Sequence, residues 1–189
     1  MNIIIPLGGK GERFSKFGFT SPKPLIKIFE KCMIDYAIDN LTFNTEDKIF
    51  IIYNKNLSNY NFESYIINKY PFIKLIKIND TKGAVETLAL GLSDIINNHS
   101  YNKKCLILDC DTFYTEDIVK IFRSSQDNMV FYTTNYDTDA IYSYIEIVDS
   151  KIINIKEKEK ISNNANTGAY AFINIRKLYT YCKYVLDNN

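Results

Sequence analysis

The sequence predicts an α/β chain built on a mostly parallel sheet with helices on both faces. Three observations carry this. Apolar runs at 2–7, 48–53 and 104–109 have the unbroken hydrophobicity of strands buried on both faces. Segments of helical periodicity lie between them, and the strand–helix alternation continues through residue 134, as crossovers between parallel strands require. The 189 residues suit one domain, and a 46% hydrophobic content can fill its core.

The elements follow in order. Residues 2–7 (Asn-Ile-Ile-Ile-Pro-Leu) read as a buried strand. Met33, Ile34, Ala37, Ile38 and Leu41 set a helix over 32–42. A second buried strand spans 48–53, a helix 58–69, and a strand with one polar face 73–78. Val85, Leu88, Leu92 and Ile95 share one face of a helix over 84–96. Residues 104–109 are again strand, followed by a short helix near 115–123 and a strand at 129–134. The pattern then changes. Residues 142–148 alternate, Asp149-Ser150-Lys151 reads as a turn, and 152–156 return as a hairpin partner. Lys156 to Lys160 is a charge run, read as a solvated face. Asn163 to Asn166 reads as loop, 167–173 as strand and 175–186 as helix. There is no internal repeat and no clear linker, so residues 1–189 are expected to form a single domain.

Composition excludes several classes. A formal net charge of +1 gives no electrostatic reason to expect nucleic acid or an anionic membrane as partner. No apolar stretch reaches membrane-spanning length, and residues 2–7 are too short for a secretory h-region. The four cysteines (Cys32, Cys105, Cys110, Cys182) lack metal-ligand spacing, and Cys105 and Cys110 fall in or beside an apolar strand. A reduced, cytoplasmic protein is expected. His99 is the only histidine and sits in a polar stretch, so a histidine-based triad is not expected.

The chemistry concentrates at strand ends. Gly8-Gly9-Lys10-Gly11 follows the first strand, where glycine backbones can approach an anion closely. Arg13 and Lys23, the latter held between Pro22 and Pro24, add fixed positive charge. The turn lacks the third glycine of a dinucleotide fingerprint, and no Gly-Lys-Ser/Thr follows at P-loop spacing. Asp109-Cys110-Asp111 ends a buried strand. Two carboxylates there suit a divalent cation such as Mg²⁺, which takes oxygen ligands together with substrate phosphates; alternatively one caps the next helix, a task open also to Thr112 and Thr115. In a parallel sheet this acid pair and the glycine turn share the carboxyl edge.

The pattern Leu7-Gly8-Gly9-Lys10-Gly11-Glu12-Arg13-Phe14…Pro22-Lys23-Pro24-Leu25-Ile26 resembles the nucleotidyltransferase family that makes nucleotide-diphospho-sugars. The resemblance continues through Thr81-Lys82-Gly83-Ala84-Val85-Glu86-Thr87, Leu108-Asp109-Cys110-Asp111, Glu157-Lys158 and Asn166-Thr167-Gly168-Ala169-Tyr170. It implies a Rossmann-like (GT-A-like) three-layer fold with a small added β-hairpin region. It also implies an activity: an NTP and a phosphorylated small-molecule acceptor, usually a sugar 1-phosphate, give a nucleotide-linked product and pyrophosphate. Such products serve as precursors of surface polysaccharide in the family. On this resemblance residues 1–135 bind nucleotide and 136–189 bind acceptor. Leu7, Gly8, Gly9 and Gly11 bind the nucleotide, the three glycines holding its phosphates through backbone N–H groups, and Gly83 and Ala84 contact its base. Arg13 neutralises the departing pyrophosphate, and Lys23 stabilises charge at the α-phosphate. Asp111 binds Mg²⁺, with Asp109 behind it in the second shell. Glu157, Lys158, Thr167 and Gly168 position the acceptor. No general base is needed, because a phosphate acceptor is already anionic.

The chain departs from the family in three places. Asn174 stands near where many relatives carry a second metal acid, leaving either a neutral ligand there or a metal held by Asp111 and substrate alone. Glu159 replaces a proline. The chain stops one helix after the 167–173 strand, either as a compact form or as part of a longer protein; a fusion partner or a homo-oligomer fits the same observation. Two rival readings stand beside this one. Asp109-x-Asp111 matches the metal motif of GT-A glycosyltransferases, which use an NDP-sugar and do not need the Gly9-x-Gly11-x-Arg13…Lys23 apparatus. A non-catalytic nucleotide-binding module would explain the missing second acid, but leaves Arg13, Lys23 and Asp111 without a purpose.

Overall fold

The computed structural model describes residues 1–188 apart from Lys10, and of Glu12 and Arg13 the backbone alone. Strand β1 (Asn2–Leu7) is flanked by β4 (Lys48–Asn54) and β6 (Cys105–Leu108), both parallel to it, and β5 (Lys74–Ile78) extends the parallel set beyond β4. Ile3, Ile4, Ile5, Ile51, Ile52 and Leu106 are fully buried. That is the physical counterpart of unbroken apolar runs, because a strand covered on both faces has no solvent side to alternate toward. The β1–β6 ladder ends at Ile4, so Pro6 stands where β1 needs no donor toward β6.

The second half of the chain completes the same sheet, in the order β5-β4-β1-β6-β10-β8-β9, with β7 (Met129–Thr134) also on β10 (Asn164–Phe172). β10 is antiparallel to β6, β7 and β8 (Ser143–Val148), and β9 (Lys151–Glu157) is antiparallel to β8. All strands of this sheet except β9 and β10 therefore run the same way, and the expected hairpin is the β8–β9 pair.

Helices cover both faces. α2 (Met33–Asp39), α3 (Phe62–Lys69) and α5 (Ile118–Ser124) bury Ile34, Ile38, Phe62, Ile66, Val119 and Phe122 against one side. α4 (Ala84–Asn98) and α6 (Ile175–Asn188) bury Leu92, Ile95, Ile175 and Leu178 against the other. Two cores separated by a sheet make the three-layer α/β sandwich expected from the sequence. The seating of α4 depends on Gly91, where a Cβ would lie 2.0 Å from Ile52 Cδ1. A helix-interior glycine costs about 1 kcal/mol of propensity, offset here by the close approach of helix to strand.

Three local expectations are corrected. Asn163 to Asn166 is not all loop, since β10 begins at Asn164 and buries Ala165 between Thr133 and Tyr144. The asparagine side chains are accommodated by local bonds: Asn164 Nδ2 donates to Ile145 O, and Asn166 Oδ1 accepts from Gly168 N. The helix expected over 58–69 starts only at Phe62. A 3-10 turn (Lys55–Tyr60) precedes it, and Asn61 at φ 55° breaks the two apart. The helix expected over 32–42 is shorter and follows a two-stranded ladder, β2 (Lys27–Ile28) with β3 (Lys31–Cys32), too brief to leave a periodic signal. All four cysteines are buried and unpaired. Among the described residues no helix is long and apolar enough to cross a membrane.

Candidate active site

The loop after β1 is shaped by what its glycines touch. A Cβ on Gly8 would fall 2.0 Å from Thr87 Oγ1, so this glycine lets the loop lie directly on the first turns of α4. Thr87 is itself fixed, its hydroxyl 2.7 Å from that of Thr81. Gly9 faces open space. Gly11 has φ 66° and precedes the short helix α1 (Glu12–Lys16), a conformation that glycine adopts without strain. The backbone of Arg13 lies in α1; its side chain lies outside the described residues.

Lys23 opens a 3-10 turn (Lys23–Leu25) between Pro22 at the cap and Pro24 inside it. Proline fixes φ near the value such a turn needs, so the lysine's backbone is preset by its neighbours. Its Nζ lies 2.6 Å from Asp111 Oδ2, joining the N-terminal loop to the acid pair beyond β6.

Asp109, the other acid of the pair, lies against β10. Its backbone N–H donates to Gly168 O at 3.0 Å, and a Cβ on Gly168 would come within 2.3 Å of its Oδ2. Gly168 has φ 78° and lies where the β10–β7 register shifts, between Asn166 and Tyr170. Solvent reaches Asp109 from the cleft, yet the cleft walls crowd its carboxyl. That desolvation, reinforced by the charge of Asp111 and opposed by Lys23, raises it to about 6.

These elements surround a cleft of about 870 Å³ at the carboxyl edge of the parallel strands. Leu7, Gly8, Gly9, Gly11, Lys23, Gly83, Ala84 and Asp109 all line it, so one cavity collects the residues expected to meet the nucleotide together with one of the two acids. The N-terminus of α4 opens into it at Gly83 and Ala84, and such a terminus favours negative charge. Asn54, Asn56, Leu57 and Tyr60, from the end of β4 and the 3-10 turn after it, form a wall not singled out from the sequence. The rule that parallel sheets bind ligands beyond their strand ends would have pointed to Asn54.

The acceptor residues fall into two groups. Gly168 abuts Asp109, and Thr167 is tied down by its hydroxyl to Phe131 O at 2.9 Å. Glu157 ends β9 and Lys158 follows it, both with largely exposed side chains; like Thr167 and Gly168 they lie outside the cleft lining. Burial and the charge of Asp109, with a smaller contribution from Glu157, raise the Tyr170 phenol, partly offset by its bond from Asn166.

One metal alternative is corrected. Asn174 is at the wrong edge of the sheet. β10 pairs Ala169 with Leu108 and Phe172 with Cys105, and Ile175 N donates to Lys103 O. Asn174 thus lies about six strand residues, roughly 20 Å, from Asp109. Its side chain accepts from Arg176 N and Lys177 N at the start of α6 instead. Among the described residues no group of three or more metal-ligating side chains gathers anywhere. A pair of carboxylates is still a sufficient protein contribution for Mg²⁺, which commonly takes one or two plus substrate phosphates and water.

A mostly parallel α/β sheet thus gathers a glycine loop, a lysine and an acid pair at one carboxyl edge. Comparison with known proteins makes this specific. The family model described as "Nucleotidyl transferase" matches residues 2–181, and the chain belongs to that family. It is 36% identical over 90 residues to an adenosylcobinamide-phosphate guanylyltransferase of Methanocaldococcus jannaschii, covering 47% of this chain and 43% of that protein. It is 27% identical over 193 residues to a UTP–glucose-1-phosphate uridylyltransferase of Synechocystis, covering 91% of this chain and 49% of the relative. The matched stretches cover less than half of each of these curated relatives. Among solved structures, a nucleoside-diphosphate-sugar pyrophosphorylase from Vibrio cholerae shares the fold, with a TM-score of 0.81 at 22% identity over 97% of this chain and 78% of that one.

Proposed function

We propose that the chain transfers a nucleoside monophosphate from an NTP to a phosphorylated small-molecule acceptor, releasing pyrophosphate, with a sugar 1-phosphate as the first acceptor to test. One observation carries this reading. The glycine loop, Lys23, Asp109 and Asp111, and the Thr167–Gly168 corner of β10 converge on one strand edge. Transfer at an α-phosphate is largely a matter of positioning and charge stabilisation, and this set supplies both. The relatives named above differ in base and in acceptor, yet each name describes nucleotidyl transfer or the making of a nucleotide-linked sugar.

In this reading the backbone from Gly8 to Gly11 holds the phosphates and Gly83 and Ala84 meet the base. Lys23 leaves Asp111 to neutralise charge at the α-phosphate, and Arg13 acts on the departing pyrophosphate. Asp111, supported by Asp109, would hold Mg²⁺, which supplies charge neutralisation across the phosphates when bound. Thr167 and Gly168 floor the acceptor side, and Glu157 and Lys158 approach it from the hairpin. Four buried, unpaired thiols suit a reducing compartment, and we place the reaction in the cytoplasm.

The test is a panel of NTPs against pooled sugar 1-phosphates and phosphorylated alcohols with Mg²⁺, read as pyrophosphate release. Release that needs one NTP and one acceptor together supports the reading. Nucleotide binding without release for any pair would move it to a binding module, and turnover of an NDP-sugar with sugar transfer would move it to a glycosyltransferase.

A further inference from the structure

Tyr114 lies just beyond the acid pair, in the segment Asp111-Thr112-Phe113-Tyr114, and no step described above uses it. It does not lie in the cleft lining. Its ring is half-buried against the core under β6, and its hydroxyl donates to Thr167 O at 2.8 Å. Its own carbonyl accepts from Asn40 Nδ2 on the far side, anchoring the residue to the end of α2. The segment that follows Asp111 is thereby stapled to the corner of β10 that faces Asp109.

The object of this staple is the corner itself. The Thr167–Gly168 unit is held by the Tyr114 hydroxyl on Thr167 O, by Thr167 Oγ1 on Phe131 O, by Asn166 Oδ1 on Gly168 N, and by Asp109 N on Gly168 O. Of these contacts, only that of Tyr114 links the corner to the loop directly after Asp111, residues 112–114. Gly168 is in a left-handed conformation and touches the Asp109 carboxylate, so a small shift of the corner moves that carboxylate directly. Burial, with the charges of Asp109 and Asp111, raises the Tyr114 phenol and outweighs the lowering by its bond to Thr167, which favours the neutral donor form.

We infer that Tyr114 is a positioning residue, which fixes the Asp109–Asp111 pair relative to the acceptor corner at Thr167 and Gly168. The inference rests on the proposed transfer reaction. Its action is indirect: the hydroxyl holds the corner, the corner holds Asp109, and the geometry between cation side and acceptor side follows. Outer contacts of this kind typically change affinity or rate by about 10–100-fold.

The experiment is Tyr114→Phe, which keeps the ring and deletes the staple. Expected is a fall in kcat of at least about tenfold, a KM for acceptor raised severalfold, and a KM for NTP within about twofold of wild type. Tyr70→Phe is the structural comparison. Its hydroxyl donates to Asp35 and Asp39 in the α2–α3 layer, so its loss lowers Tm and leaves all three constants in place. Tyr114→Phe kinetics equal to wild type, or a change that lowers Tm and moves both KM values together, overturns the inference. Mn²⁺ affinity with a non-hydrolysable NTP bound, read by electron paramagnetic resonance, gives an arm independent of turnover. If wild type releases no pyrophosphate with any pair, the proposed reaction fails alone. The Tyr114 role then stands on weaker Mn²⁺ binding in the variant, and falls if that binding is unchanged.

Discussion

Replacing Gly8 by alanine tests how the phosphate loop is mounted on the helix behind it. The backbone of Gly8 is not in the left-handed region, so an alanine meets no φ penalty there. It meets Thr87 instead: the added Cβ would lie 2.0 Å from Oγ1, 2.8 Å from Cγ2 and 2.9 Å from Cβ. Ordinary contact begins near 3.4 Å, so the loop or α4 must yield by more than an ångström in a well-packed seam. Overpacking of this kind costs about 1–3 kcal/mol. Thr87→Ala alone loses the hydroxyl contact to Thr81, about 1 kcal/mol. In the double variant the two nearest clashing atoms are gone, and only the contact to Cβ remains. Urea unfolding of the four proteins closes a double-mutant cycle. The pair should be less destabilised than the sum of the singles by about 1–2 kcal/mol. Additivity within about 0.5 kcal/mol would show that Gly8 is not held against Thr87, and would refute the steric account of this loop.

Further predictions separate stability from chemistry. Gly9→Ala meets nothing in the structure, so unfolding free energy should stay within about 0.5 kcal/mol while the KM for NTP rises; an unchanged KM would remove Gly9 from the phosphate site. Lys23→Ala breaks a partly exposed ion pair worth at most about 1 kcal/mol, but should lower turnover by about 10²–10³-fold; Asp111→Ala should also lower turnover strongly with the fold intact, and activity surviving both changes would misplace the site. Acid should expose Asp47. Burial raises its carboxyl, but bonds from Arg123, the Met1 ammonium and Asn44 N outweigh this and hold it down at about 2, against an ordinary 3.8. A depressed carboxylate contributes stability that is present above the unfolded value and lost as pH falls through the folded one. The window is therefore pH 4 to 2, and the loss about 2 kcal/mol. Urea midpoints across that window should fall less steeply in Asp47→Asn; parallel curves would show that Asp47 contributes no such linkage.

How much was legible in the sequence varies with the range of the interaction. Strands buried on both faces announce themselves, because every residue of β1 and β4 must be apolar or paired. The carboxyl-edge cluster followed from topology alone, since parallel strands align the loop after β1 with Asp109 and Asp111. What escaped was long-range or local by exception. The identity of Gly8's neighbour depends on α4 returning across the sheet, which no window of sequence contains. Asn163 to Asn166 looked like loop because asparagine is rare in strands, and only the bonds to Ile145, Gly168 and Tyr170 make the strand tolerable there. Asn174 lies two residues past the end of β10, and only the antiparallel register shows that this end lies away from the acids. Tyr114 carried no signal in sequence, since its value lies in a carbonyl on another strand.

The central claim is that one cleft joins a nucleotide and a phosphorylated acceptor. Its most direct measurement is pyrophosphate release by the wild-type chain with Mg²⁺ across the NTP and acceptor panel, alongside Lys23→Ala. The account predicts release that requires both substrates together and falls by about two to three orders of magnitude in the variant. Nucleotide bound in the cleft with no pyrophosphate from any pair, or release that Lys23→Ala leaves unchanged, would contradict it.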